Sequence, residues 1–348
     1  MRLFKCKMVW HISILAAMFL VALFPGGMQA SAAAMPSNVA PEEPALWTPG
    51  LQLYGKGGKV EVTLLGGYAG FENHLYLMYY VTSPGSTPIL LGTNRDRDKG
   101  KEINVGVRNS TTELIFYIEA YLTDANGDPL RDANGVLAKY GTFYTGPGNR
   151  PGATNADGLA HAAVKDLGSG AALVGFEDTY GYDLNCDWDF NDLIFGVTGI
   201  KVVRNGFVTA GGYGDITWPG GSYPTDPAIT GTANFGFNAK YKSNGTLQGS
   251  VEYNARPIDL NFHSTRLDWL TVSAPMFIIR GSGTINGAGD YLFFLIGYDS
   301  GAGGTGKDKL RMKISDKSSG NVVYDNQMGT PLGVVTADII NGSITIHQ

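Results

Sequence analysis

Cysteine is nearly absent from this chain. Two of its 348 residues are Cys, at positions 6 and 186, so a disulfide-stapled scaffold is excluded. Charge is also scarce, at 16% of residues, and it leans acidic, with 31 Asp and Glu against 26 Lys and Arg. That balance argues against a nucleic-acid partner, which requires basic patches. The five histidines are scattered, and no Cys or His pair has zinc spacing. No stretch of ten or more residues shows a 3.6-residue apolar repeat, so helices are not expected to carry the core.

Only one long apolar run is present. Residues 12–24 are apolar, follow Arg2, Lys5 and Lys7, and end at Pro25-Gly26-Gly27. A membrane span needs about 20 apolar residues. A charged start, a short apolar run and the small residues through Ala32 instead predict a signal peptide, residues 1–32, cleaved after Ala32 or Ala34. Its removal takes away three basic residues and no acidic one, moving the formal net charge from −5 to −8. The expected product is secreted, extracellular and not stably inserted in a membrane. Cys186 would be its one cysteine, and the acidic residues around it disfavour a thiolate.

What is abundant is glycine, 49 residues, and tyrosine plus phenylalanine, 34 together. Short β-branched runs separated by Gly, Asn, Asp and Pro predict an all-β chain. Residues 33–50 carry Pro36, Pro41, Pro44 and Pro49 and read as an extended leader. From 51 to 203 about nine strands are expected. Val60, Val62 and Leu64 alternate with Lys59, Glu61 and Thr63, and Leu114, Phe116, Ile118, Ala120 and Leu122 share a face. A second set runs from 207 to 348, with predicted strands at 232–241, 246–253, 259–263, 267–272, 276–285, 291–298, 309–315, 322–324 and 343–347. Two β-sandwich domains of jelly-roll-like character are the natural way to bury them. Asp124-Ala-Asn-Gly127 and Asp132-Ala-Asn-Gly135 repeat a turn signal; Asp124, Asn126 and Asp128 also alternate like a calcium loop, but Pro129 stands where an EF-hand needs Gly.

The chemistry gathers at residues 175–200, GFEDTYGYDLNCDWDFNDLIFGVTGI, which hold Glu177, Asp178, Asp183, Asp187, Asp189 and Asp192 with Asn185 and Asn191 and no Lys or Arg. Two apolar strands, 171–176 and 193–197, should hold the connection in place. Crowded carboxylates repel, and a hard cation with six to eight oxygen ligands relieves them. A calcium site is expected. The EF-hand pattern fits at Asp187, Asp189 and Asn191 and then fails, with Asp192 at its Gly position and Thr198 at its final Glu. Solvated turn and capping carboxylates are the plainer alternative. A glycosidase pair flanks its sugar from two sides, which one loop does not offer.

Four segments of the first half, VEVTLLGGYAGF from Val60, FYTG from Phe143, NADGLAHAAV from Asn155 and GFED followed by DWDFNDLIF, resemble the bacterial secreted family called domain of unknown function 4114. The resemblance implies an extracellular β-sandwich with a metal site at Glu177, Asp178, Asp187, Asp189, Asn191 and Asp192. The second half is similar to the post-COAP family of secreted bacterial proteins, in ANFGFNAKY from Ala233, LNFHST from Leu260, GSGTING from Gly281, DKLRMKISD from Asp308, VYDN from Val323 and the closing GSITIH. That resemblance implies a β-rich accessory module with no known reaction.

Three function classes stay open: a non-enzymatic structural or adhesive protein of the bacterial cell surface or matrix, with an extracellular protein or glycan partner; a carbohydrate-binding accessory protein; and an extracellular hydrolase. Tyr68, Tyr79, Tyr80, Trp218, Tyr223 and Trp269 are the aromatics available to stack on a sugar, though core packing accounts for most aromatics in such a chain. GAGGTG at 301–306 imitates a phosphate loop, but Asp308 replaces the Ser or Thr and a strand follows, so it reads as a hairpin loop.

Overall fold

A computed structural model describes residues 47–78, 88–183, 186, 188–217, 221–301 and 306–347. The predicted signal peptide, most of the leader, Tyr79, Tyr80, Asn185, Asp187, Trp218 and residues 302–305 lie outside the described residues. The chain is nearly all β, as expected. No helix among the described residues is long and apolar enough to cross a membrane.

The first half is two sheets face to face. One carries, in spatial order, β1 (Thr48–Pro49), β11 (Ala162–Gly168), β12 (Ala171–Phe176), β13 (Leu193–Thr198), β3 (Gly58–Gly66) and β6 (Glu102–Arg108). The other carries β5 (Ile89–Thr93), β4 (Glu72–Met78), β7 (Ile115–Tyr121) and β8 (Lys139–Tyr144). Two small pairs complete it: β2 (Gln52–Gly55) with β14 (Ile200–Val203), and β9 (Asn149–Arg150) with β10 (Ala153–Thr154). Strand alternation sends Val60, Val62 and Leu64 inward, and Leu114, Phe116, Ile118 and Ala120 meet them from the opposite sheet; Leu122, at the end of that face, is exposed. Phe116 and Phe195 touch across the layers, their rings 4.8 Å apart. The end of the Pro-rich stretch belongs to this fold, because Trp47 is buried and Thr48 and Pro49 pair with Val164 and Ala163.

The second half is one antiparallel sheet of nine strands. Its order is β22 (Val322–Asp325), β21 (Lys309–Asp316), β20 (Ala288–Tyr298), β19 (Met276–Ile285), β18 (Leu260–Ser273), β17 (Leu247–Ala255), β16 (Thr232–Tyr241), β15 (Phe207–Asp215) and β23 (Ile339–His347). The strands predicted at 259–263 and 267–272 are one strand, β18, kinked by two register shifts near Ser264 and Leu267. The strand β15 was not anticipated. The sheet curls on itself around a core of Phe235, Phe237, Phe262, Phe277, Phe293 and their neighbours. Its ends meet where Asp308 and Asp299 accept the backbone N–H groups of Ile344 and Ile346 at 2.7 and 2.8 Å, and within the core the Tyr253 and Tyr324 hydroxyls are 2.7 Å apart.

The two halves are tied by hydrogen bonds. Thr271 Oγ1 donates to the Pro49 carbonyl at 2.7 Å, and Gly148 N–H donates to Ser273 Oγ at 2.8 Å. Asn149 Nδ2 reaches the carbonyls of Ser273 and Ala274, at 2.9 and 2.8 Å. A small apolar cluster, Leu159 with Trp269, Ile278 and Ile296, closes the seam.

Candidate metal centre

The acidic segment is the connection from β12 to β13. These strands pair antiparallel, and their last matched residues are Phe176 and Leu193. Register alone therefore sets Glu177 and Asp178, on the departing arm, beside Asp192 on the returning arm. Oxygens of these three carboxylates all lie within 4.8 Å of one another. Glu177 and Asp178 are each 2% exposed.

Local hydrogen bonds hold the arms. Asp192 N–H donates to the Phe176 carbonyl at 3.1 Å, and Asp178 N–H donates to Asp192 Oδ2 at 2.8 Å. Thr179 Oγ1 donates to Glu177 Oε1. From the facing sheet, Asn73 Nδ2 donates to Asp178 Oδ2 at 2.7 Å, and Asn94 Nδ2 donates to the Asp192 carbonyl at 3.2 Å. His161 is fully buried; its ring nitrogens contact Asp157 at 2.9 Å and the Glu177 carbonyl at 3.1 Å. It acts as a structural hydrogen-bonder that fixes the acidic arm. Two glycines let the backbones approach. A Cβ on Gly67 would lie 2.0 Å from the Asp192 carbonyl oxygen, and one on Gly175 would lie 2.1 Å from that of Phe190.

Trp188 and Phe190 sit at φ +58° and +56°, in the left-handed region that bulky residues avoid. Packing holds them there. Phe190 is buried among Trp47, Ala163, Leu173 and Ile194, and Trp188 packs beside it and against the seam between the halves. The connection is thus anchored by its own aromatics as well as by its ends.

Burial, then the charges of Asp178, Glu177 and Asp189, push the Asp192 carboxyl up to about 10, against the opposing pull of the Asp178 N–H. The neighbouring side-chain charges that raise it, Asp178, Glu177 and Asp189, are all of its own sign. Two full charges 4.8 Å apart repel by about 3.5 kcal/mol at an effective dielectric constant of 20. A protein with ~5–15 kcal/mol of net stability does not carry three such repulsions lightly. The group therefore either holds protons or neutralises a cation.

Of the six residues expected to bind metal, the structure brings together Glu177, Asp178 and Asp192. Asp189 and Asn191 stand beside them, joined to each other: Asn191 N–H donates to Asp189 Oδ1 at 3.0 Å and Asn191 Nδ2 to Asp189 Oδ2. Asp187 lies outside the described residues. Burial, followed by the charge of Glu177, pushes the Cys186 thiol up, which disfavours a thiolate there. The Asp124 and Asp132 carboxylates each accept two backbone N–H groups of their own turn at 2.8–3.0 Å, which is turn chemistry. Trp269, among the aromatics available for sugar stacking, is buried at the seam, whereas Tyr68 is exposed.

Set against protein-family models, curated proteins and solved structures, the chain matches none.

The donor set fits a hard cation. All three side chains offer oxygen, and the triad contains no sulfur or imidazole to favour zinc or copper. Two oxygens each about 2.4 Å from one calcium ion lie no more than about 4.8 Å apart, the spread these carboxylates show. Sequence reading missed Asn73, although a signal was present. It shares the inward face of β4 with Leu75 and Leu77, where an amide needs a polar partner.

Proposed function

We propose that this is a secreted, non-enzymatic, calcium-binding β-protein with a structural or adhesive role at the bacterial cell surface or in the extracellular matrix. The buried carboxylate triad carries the reading. Calcium held by Glu177, Asp178 and Asp192 would neutralise charge that the fold has taken out of water, and would lock the β12–β13 connection. Extracellular calcium is abundant enough that a dissociation constant on the order of 0.1–1 mM suffices. Calorimetric titration of calcium into the chelator-treated protein tests this. One saturable ion at the triad, lost in Asp178→Ala/Asp192→Ala, is expected. Wild-type protein that takes up no calcium up to ~10 mM, well above that range, refutes it.

A second reading, a glycan-binding accessory role, is favoured by an aromatic-walled cavity of about 480 Å³ where the two halves meet. Ligand sites commonly occupy volumes of this order at such seams.

A further inference from the structure

Asn73 is fully buried and sits on the inward face of β4 beside Leu75 and Leu77. An amide in that position needs partners for its backbone and for both ends of its side chain. The backbone is satisfied: the Asn73 N–H donates to Asn94 Oδ1 at 3.0 Å, and its carbonyl accepts the Asn94 N–H at 3.1 Å. The donor end of the side chain is on Asp178 Oδ2, at 2.7 Å. The acceptor end is not matched: Asn73 Oδ1 is buried and accepts no hydrogen bond from any described residue. It shares a carbon with Nδ2, so it lies at the rim of the carboxylate triad.

That oxygen lacks a proton or a positive charge, and the triad beside it lacks the same. Arg95 and Arg97, which follow Asn94 in the chain, bond Glu72 at 3.3 and 2.9 Å. A cation among the carboxylates answers both needs. Calcium takes six to eight oxygens, amide carbonyls among them. Three carboxylates already exceed its charge, so a neutral oxygen adds a ligand without adding repulsion. The facing sheet is also held ready. Asn94, which fixes the Asn73 backbone with its amide oxygen, uses its amide nitrogen on the carbonyls of Phe71 and Asp192, at 3.1 and 3.2 Å. A ligand whose backbone is tied to the arm carrying another ligand needs little rearrangement to bind.

We propose that Asn73 Oδ1 is a direct ligand of calcium at Glu177, Asp178 and Asp192, so that the ion bridges the two sheets of the first half. This rests on the calcium reading above and adds to it a ligand from the facing sheet.

The test counts water on the ion. Terbium, an oxygen-seeking cation close to calcium in size, is bound to the chelator-treated protein, and its luminescence decay in H2O and in D2O gives the number of coordinated waters. Displacement by calcium and loss in Asp178→Ala/Asp192→Ala place the ion at the triad. Asn73→Ala and Asn73→Ser remove the amide oxygen and leave room for water, so each should carry one more coordinated water than wild type. Asn73→Asp keeps an oxygen there and should carry no more than wild type; it also carries the test if the smaller variants do not fold. A role limited to the hydrogen bond on Asp178 would weaken binding without changing the count. Wild-type counts in Asn73→Ala and Asn73→Ser, or a raised count in Asn73→Asp, overturn the ligand assignment and leave the calcium reading standing. Wild-type protein that holds no calcium-displaceable terbium overturns both.

Discussion

Replacing Asp192 with Asn removes a charge while keeping the shape of the group and an oxygen able to accept the Asp178 N–H. In chelator at pH 7.5 the folded wild type holds Asp192 protonated, because its carboxyl is pushed up to about 10, whereas in the unfolded chain it ionises near 3.8. The contribution of this group to stability is therefore complete below about pH 3.8 and is lost as pH rises toward 10. Each unit in that window is worth about 1.4 kcal/mol at most, and solvent relaxation around a partly exposed group reduces the sum at pH 7.5 to roughly 2–3 kcal/mol. Asp192→Asn has no such loss. It should melt higher than wild type in chelator at pH 7.5, with the gap closing by pH 4. Calcium reverses the order. At a hundred times its dissociation constant an ion adds about 2.7 kcal/mol to the wild type, or about 4 °C in midpoint for roughly 300 folded residues, and the variant should gain little. The assay is thermal unfolding followed by circular dichroism across pH, with calcium and with chelator. A variant that melts below wild type in chelator at every pH, or one that responds to calcium like wild type, refutes the reasoning.

Two further substitutions probe the frame. Asn73→Ala removes the buried amide that donates to Asp178; it should cost about 1–3 kcal/mol in urea unfolding and weaken calcium binding in titration. Arg311→Met strips Asp325 of its bidentate partner while both are buried; it should cost about 3–5 kcal/mol, part of which Arg311→Met/Asp325→Leu should recover, as read by denaturant midpoints.

The acidic cluster was legible because its logic is one of register. Two apolar runs, 171–176 and 193–197, with acids directly after the first and directly before the second, place those acids opposite one another once the runs pair. What the motif alone did not reveal was which acids converge. Asp189 and Asn191 read as ligands in a one-dimensional pattern; in the structure their side chains bond to each other beside the triad, as Asx residues in tight turns do. Strand β15 escaped notice because Gly211, Gly212 and Gly214 dilute its alternation, and glycine carries no strand preference of its own. Trp269 could be read as an exposed stacking aromatic because nothing in a strand pattern says that the outward face of one sheet is covered by another part of the chain.

That last point joins the two sites. Trp188 and Phe190 alternate with the acids in Asp187-Trp-Asp-Phe-Asn-Asp192, and the backbone accepts left-handed φ at both aromatics so that they pack inward. Phe190 anchors the connection to the first sandwich, and Trp188 carries it to the seam, where it forms part of the cavity wall opposite Trp269 and Lys313. An ion that fixes Glu177, Asp178 and Asp192 thereby fixes the wall on which Asp183 and Trp188 stand. If calcium occupies the triad and a sugar the cavity, the two affinities would be coupled through this segment, and by linkage each ligand would change the other's affinity by the same factor. Sugar affinity measured with calcium and with chelator, set against calcium affinity measured with and without sugar, must therefore give equal ratios if both ligands bind where the geometry points.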